Sequence, residues 1–212
     1  MKKYSCFLFF LSVFAFQFCG IRDEPSDGRV DLYELACKQK DFLGGKLQLS
    51  TRDEISLEYN LEPIVSSITD DMIDPVVLKY IDKYTSSKSI AQWNEASICK
   101  EVARDNALSA DQREVIARSL GYGMYYKEIA LEFGEDIIQA FDWNPESAAT
   151  DPCLTQYYLD VRYIILRGIK DAAYGIGGGG IGLELAIIGG EINILFDLRG
   201  AKKSFMACIA AH

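Results

Sequence analysis

The chain has 212 residues, with 22 Lys and Arg against 31 Asp and Glu and a net charge of −9. An acidic chain without a basic cluster is unsuited to nucleic acid and to electrostatic attachment to anionic lipid. The only histidine is His212, so the Ser-His-Asp and Cys-His classes of nucleophilic enzyme lack their base. We therefore predict no catalytic residues and no nucleic-acid partner.

Residues 1–18 have the pattern of a signal peptide, because Lys2 and Lys3 precede an apolar run that is too short to span a bilayer comfortably. No nearby position offers small residues at both −3 and −1 of an ordinary cleavage site. The sequence therefore favours a lipoprotein signal in which Cys19 becomes the lipid-modified first residue. Phe18 departs from that pattern, since the residue before the cysteine is normally small. A plain secreted protein and an uncleaved anchor are the alternatives.

Export sets the expected location and partners. Residues 19–29 are polar and turn-rich, as expected of a tether, and two or three acyl chains would hold the protein firmly on a membrane. The predicted location is the cell envelope, lipid-anchored on its periplasmic or surface face, or secreted. The mature chain of roughly 194 residues is long enough for one sizeable core.

Cys6 is removed with the signal peptide and Cys19 is the lipidation candidate, which leaves four cysteines for pairing, an even number in an oxidising compartment with no Cys-x-x-Cys motif: Cys37, Cys99, Cys153 and Cys208. We predict two disulfides, for which three pairings exist. The wide spacings and the terminal histidine do not support zinc, so we predict no metal site and no cofactor.

Residues 30–144 are predicted to form a helical region. A short helix is expected over 29–38, broken at Gly44 and Gly45, and a small β-hairpin over 47–59. Three later helices are predicted from their start signals, which are Asp74 with Pro75, Ser89 with Gln92, and Ser109 with Gln112. We expect Gly121 and Gly123 to bend the third, and a short helix over 137–141. Residues 145–152 form the boundary loop.

Residues 152–212 are predicted to form a helical hairpin around the turn Gly177–Gly180. Cys153 lies 27 residues before Gly180 and Cys208 lies 28 after it. Two antiparallel helices of this length return to the same level, where a disulfide can join them. The alternative is a β-meander, because apolar residues of 181–198 also alternate about Gly189 and Gly190. The predicted fold is thus a mainly α-helical bundle with a disulfide-closed hairpin packed on 30–144 as one domain, and an α+β fold is the alternative.

Several polar or aromatic clusters are weighed as sites, and each has a structural explanation that we prefer. Gly177–Gly180 lacks the Lys-Ser/Thr of a phosphate loop, so we read it as a turn. Three aspartates are candidates for calcium but lack the alternating Asp/Asn-Gly pattern: Asp70, Asp71 and Asp74. Three carboxylates near a helix end could supply an acid/base pair, but such residues are more often a solvated face: Glu132, Glu135 and Asp136.

Two carboxylates lie in the apolar segment, and we place them on the solvent edge of its helix: Glu184 and Glu191. Five tyrosines could line a groove, but core packing is the preferred explanation: Tyr122, Tyr125, Tyr126, Tyr157 and Tyr158.

These observations predict an exported binding or interaction module with an unknown protein or glycan partner. A carboxylate-based hydrolase of envelope glycans is the enzyme alternative, which requires two carboxylates roughly 5–10 Å apart in one cleft. The third hypothesis is a membrane-inserting protein that uses the apolar segment 172–196.

Overall fold

The computed structural model describes residues 31–46, 68–87, 89–134, 137, 151–178 and 181–211, and for 45–46 and 181–193 it describes the backbone only. Within these ranges the chain forms six α-helices and no strand, which confirms the predicted mainly α-helical fold. The predicted signal peptide, tether and β-hairpin lie outside them, as does the predicted boundary loop up to residue 150; Pro152, its last predicted residue, begins a helix. The helices are α1 Leu32–Lys46, α2 Pro75–Tyr84, α3 Glu95–Arg104, α4 Ala110–Phe133, α5 Pro152–Gly178 and α6 Ile181–Ala211.

Helix α1 is longer than its sequence suggests. It starts after Asp31, whose carboxylate accepts the backbone N–H groups of Tyr33 at 2.9 Å and Glu34 at 3.2 Å. It then continues through both glycines to Lys46, so the predicted break is wrong. The buried side chain of Leu43, in the last turn, joins the common core, and this tertiary packing outweighs the low helix propensity of glycine.

Helix α2 starts at the predicted cap, whereas the cap of helix α3 lies five residues after the predicted one. Asp74 caps α2 by accepting the N–H of Val76 at 2.8 Å, with Pro75 in the first turn, as predicted. The predicted start of α3 at Ser89 is wrong, because Ile90–Gln92 forms a 3₁₀ turn. Asn94 caps α3 instead.

Helix α4 lies at the centre of the bundle and contacts every other helix. Its predicted capping box is present, with Ser109 and Gln112 exchanging hydrogen bonds of 3.0 and 3.1 Å. Helix α4 continues without a break through Gly121 and Gly123, where a bend was predicted, to Phe133. Both glycines lie at tight packing contacts with neighbouring segments, so their role is close approach.

Helices α5 and α6 form the predicted hairpin. Asp151 caps α5 through the N–H groups of Cys153 and Leu154, and a disulfide joins Cys153 to Cys208 with the Cα atoms 5.7 Å apart. Residues 181–198 belong to a single helix, so the alternative β-meander is wrong. The two cysteines are almost the same number of residues from the turn, and a helix rises by the same distance per residue. Both cysteines therefore lie at the same end of the hairpin.

One hydrophobic core unites the six helices. It contains buried residues from each of them, among them Leu32, Val77, Ile98, Ile116, Ile165 and Leu198. In the described part of the chain, none of the helices is both long enough and apolar enough to cross a membrane.

Candidate functional site

A cleft of about 510 Å³ runs between α5 and the segment 68–73, which contains the 3₁₀ turn Asp70–Met72. This volume falls within the range of small-molecule sites. Three apolar residues and six polar, charged or aromatic ones line it: Ile68, Ile73 and Leu166, and Thr69, Asp70, Tyr163, Arg167, Lys170 and Asp171.

The wall from α5 follows directly from helical spacing. Its five lining residues lie at positions 163, 166, 167, 170 and 171, which is the i, i+3, i+4, i+7, i+8 repeat of a single helix face. The adjacent face of α5 carries buried residues of the core such as Ile165 and Ile169. The cleft therefore lies where the core face of α5 meets its solvent face.

Lys170 connects α5 to the opposite wall. Its Nζ lies 3.0 and 2.8 Å from the two carboxylate oxygens of Asp70 and 3.9 Å from Oδ1 of Asp82 in α2. Both acidic side chains are more than half exposed, so this charge cluster contributes little to stability. Its effect is to hold an ordered group of charges at the edge of the cleft.

Arg167 and Asp171 form a second charged group in the cleft. Arg167 Nε lies 4.0 Å from Asp171 Oδ2, and Arg167 Nη1 lies 3.7 Å from Asp197 Oδ2 in α6. Asp171 is only 5% exposed, whereas Tyr163 at the other end of the lining is 66% exposed. The cleft thus extends from an open aromatic ring to a buried carboxyl group.

The surroundings of Asp171 set its chemistry. Burial, reinforced by the nearby charge of Asp197 and partly offset by Arg167, raises the pKa of Asp171 to about 7. This carboxyl group therefore changes its charge near neutral pH, which allows it to accept or donate a proton or to pair with a cation.

A second polar network links three helices but faces the core. Glu95 of α3 accepts hydrogen bonds of 2.5 Å from the Tyr84 hydroxyl of α2 and from Lys127 Nζ of α4, and Lys127 also donates to the Trp93 carbonyl at 3.3 Å. Burial, with Glu95 beside it, raises the pKa of Tyr84 well above its usual value. Every group in this network has a partner, so we interpret it as structural.

The structure assigns the residues of the clusters predicted from the sequence to different roles. Asp70 pairs with Lys170 while Asp74 caps α2, so they serve different purposes. Glu132 is exposed on α4. Glu135, Asp136 and the side chains of Glu184 and Glu191 lie outside the described residues. The tyrosines Tyr122, Tyr126 and Tyr157 are buried in the core, with Tyr125 and Tyr158 packed against it, so all five contribute to core packing.

The predicted disulfides have different outcomes. Cys153 and Cys208 are joined, as proposed from their spacing. Cys37 and Cys99 are buried thiols, so the structure does not contain the second predicted disulfide. Burial, together with the charges of Asp31 and Glu95, raises the pKa of Cys99 to about 12, which makes its thiol a poor nucleophile.

Sequence reasoning missed Asp171. One signal was available, because Ile164, Gly168, Asp171 and Gly175 share a helix face and the three neighbours of the aspartate on it are apolar or small. A carboxylate on such a face is expected to be buried. Only the folded chain, however, shows that a cleft lies beside it.

In the described residues, no group of three or more His, Cys, Asp or Glu side chains is placed to hold a metal ion. Comparison of the chain with protein-family models, with curated proteins and with solved structures gives no match.

Proposed function

We propose that this chain is an exported protein of the cell envelope, anchored by lipid on Cys19, whose helical domain binds a ligand or partner without transforming it. The observation that carries this proposal is the Cys153–Cys208 disulfide. Such bonds persist mainly in oxidising compartments, which agrees with the export signal expected in residues 1–18.

The binding role is supported by the cleft beside α5. It combines an open aromatic ring with an ordered set of charges, which is a composition suited to recognition. A partner would meet this face once the tether holds the domain at a membrane.

Acylation is tested by expressing the full chain in a bacterium with labelled palmitate and measuring the intact mass of the membrane fraction. We expect label on the wild-type protein and a mass equal to residues 19–212 plus acyl chains. The matched Cys19→Ala variant is expected to incorporate no label. A wild-type protein of unmodified mass would refute the lipid anchor and favour plain secretion.

A hydrolase that uses only carboxylates is the second candidate, and one observation favours it. Asp70 and Asp171 line the same cleft, and the raised pKa of Asp171 suits a general acid. Incubation with purified cell-wall glycan tests this alternative. Release of reducing ends by the wild type but not by Asp171→Asn would replace the binding proposal.

Membrane insertion through residues 172–196 is the third candidate. Flotation of the non-acylated Cys19→Ala protein with liposomes, with and without reduction of the disulfide, tests it. Absence of the protein from the lipid fraction under both conditions would refute insertion.

A further inference from the structure

We infer that the cleft beside α5 binds a small organic amine, whose ammonium group pairs with Asp171 and whose apolar part lies against Tyr163. This inference rests on the proposed binding function and names the chemical class of its ligand.

The balance of charge around the cleft favours a cation. Its two basic side chains, Arg167 and Lys170, are each close to two carboxylates: Asp171 and Asp197, and Asp70 and Asp82. Asp70 and Asp171 line the cleft together with the two bases, and Asp82 and Asp197 lie outside its lining, so the ion pairs around the cleft contain four carboxylates and two bases. A cationic ligand reduces this excess, whereas an anionic ligand would increase it.

Asp171 is the carboxylate best placed to receive the ammonium group. In the part of the chain that the structure describes, its side chain has one polar partner, Arg167 Nε at 4.0 Å, which is beyond hydrogen-bond distance. Arg167 is itself shared with Asp197. Asp171 is 5% exposed and lines the cleft, so an ammonium group bound there would give its carboxylate a hydrogen-bond donor that Arg167 at 4.0 Å does not supply.

The rest of the lining suits an apolar or aromatic body. Tyr163 exposes 66% of its surface at the mouth, and the cleft continues past Leu166 and the buried Ile73. An aromatic or aliphatic group placed there covers apolar surface that now faces water. The cavity, at about 510 Å³, accommodates an amine that carries one aromatic ring.

Binding is expected to depend on pH. The groups that face Asp171 are Arg167 on its own helix, Asp197 on α6, and the pair formed by Lys170 and Asp70 at the cleft edge. Below neutral pH Asp171 takes up a proton and loses the charge that attracts an ammonium group. We therefore expect amine affinity to increase severalfold between pH 6 and pH 8.

The test uses three molecules of nearly equal shape: phenethylamine, 2-phenylethanol and 3-phenylpropionate. Isothermal titration calorimetry with the purified protein at pH 8 is expected to show phenethylamine binding at least tenfold more tightly than either of the others. No binding of phenethylamine, equal binding of the alcohol, or preference for the carboxylate would overturn the inference.

Variants locate the site. Asp171→Asn is expected to weaken phenethylamine binding at least fivefold and to remove its pH dependence. Asp160→Asn is the matched control, because Asp160 lies on α5 outside the cleft and contacts Gln156. Tyr163→Ala changes an exposed side chain, so it tests the aromatic contact without threatening the fold, and it is expected to weaken binding about threefold. Unchanged affinity in both cleft variants would place the amine elsewhere and refute the inference.

The outcomes separate this inference from the proposed function. A cleft that binds 3-phenylpropionate keeps the binding function and refutes the amine. Absence of acylation at Cys19 removes the lipid anchor and leaves amine binding intact.

Discussion

The carbonyl oxygen of Ala36 in α1 lies where Gly121 of α4 has no side chain. A β-carbon at position 121 would come within 2.5 Å of this oxygen and within 2.7 Å of Gln39 Cβ. Since one of these atoms is backbone, the contact cannot be relieved by rotating a side chain. The two helices can therefore pack at this distance only because residue 121 is glycine.

Replacing Gly121 by Ala is expected to lower the free energy of unfolding by about 1–3 kcal/mol, because the overpacking outweighs the gain in helix propensity. Gly200→Ala is the matched control within α6, since an added β-carbon there has no atom within 4 Å. That variant should gain up to about 1 kcal/mol. Urea denaturation followed by circular dichroism measures both, and stabilisation by both variants would contradict the tight packing of α1 on α4.

This contrast shows which parts of the fold the sequence could predict. The caps at Asp74 and Ser109 depend on residues within one turn, so their types and spacing were sufficient. The role of Gly121 depends on another helix, and a single sequence does not reveal that partner. At Gly44 an added β-carbon would lie 3.9 Å from Tyr125, an ordinary contact, so the packing of Leu43 rather than a need for glycine explains why α1 continues there.

The hairpin was predicted because its constraint is a matter of length. Cys153 and Cys208 are nearly equidistant from the glycine turn, so two helices bring them together whatever their other contacts. Asp171 was not predicted as part of a site for the opposite reason. Its partners Arg167 and Asp197 lie on two helices, and the cleft also needs the segment 68–73, whose position no local pattern specifies.

Glu95→Gln is expected to destabilise the fold by about 2 kcal/mol, because it leaves the ammonium group of Lys127 with a weaker acceptor in a confined place. The two side chains are only 12% and 18% exposed. The exposed pair of Glu101 with Lys83, at 42% and 51%, provides the control, and Glu101→Gln should change stability by less than about 1 kcal/mol. Thermal and urea unfolding measure both variants; equal effects would show that burial of the Glu95 network contributes nothing extra.

Removing the disulfide by Cys153→Ser with Cys208→Ser is expected to lower the free energy of unfolding by about 2–4 kcal/mol. The bond closes a segment with a sequence separation of 55, so it restricts the unfolded chain substantially. Urea denaturation of the oxidised wild type and the double variant measures this loss.

A phosphine reductant should destabilise the wild type to the same extent and leave the double variant unchanged. Alkylation of unfolded, unreduced wild-type protein should modify Cys37 and Cys99, the two buried thiols. If the reductant also destabilises the double variant, Cys37 and Cys99 form the second disulfide expected from their number.

Asp171→Asn is expected to stabilise the protein at neutral and higher pH, and the size of the gain should follow the titration of the carboxyl group. In the folded chain burial raises the pKa of Asp171 from 3.8 to about 7. Between these values the folded protein holds a proton that the unfolded chain has released. The wild type therefore loses stability as the pH rises through this interval, whereas asparagine has no charge to bury.

The difference in unfolding free energy between the variant and the wild type should accordingly be near zero at pH 4, grow through pH 5 and 6, and level off above pH 7 at about 2–4 kcal/mol in favour of asparagine. Comparing the two proteins at each pH cancels the titration of all other groups. Asp160→Asn, on α5 but outside the cleft, is the matched control for the substitution itself. A constant difference for Asp171→Asn across this range would mean that folding does not raise the pKa of the carboxyl group, and an ammonium ligand would then bind equally well at pH 6 and pH 8.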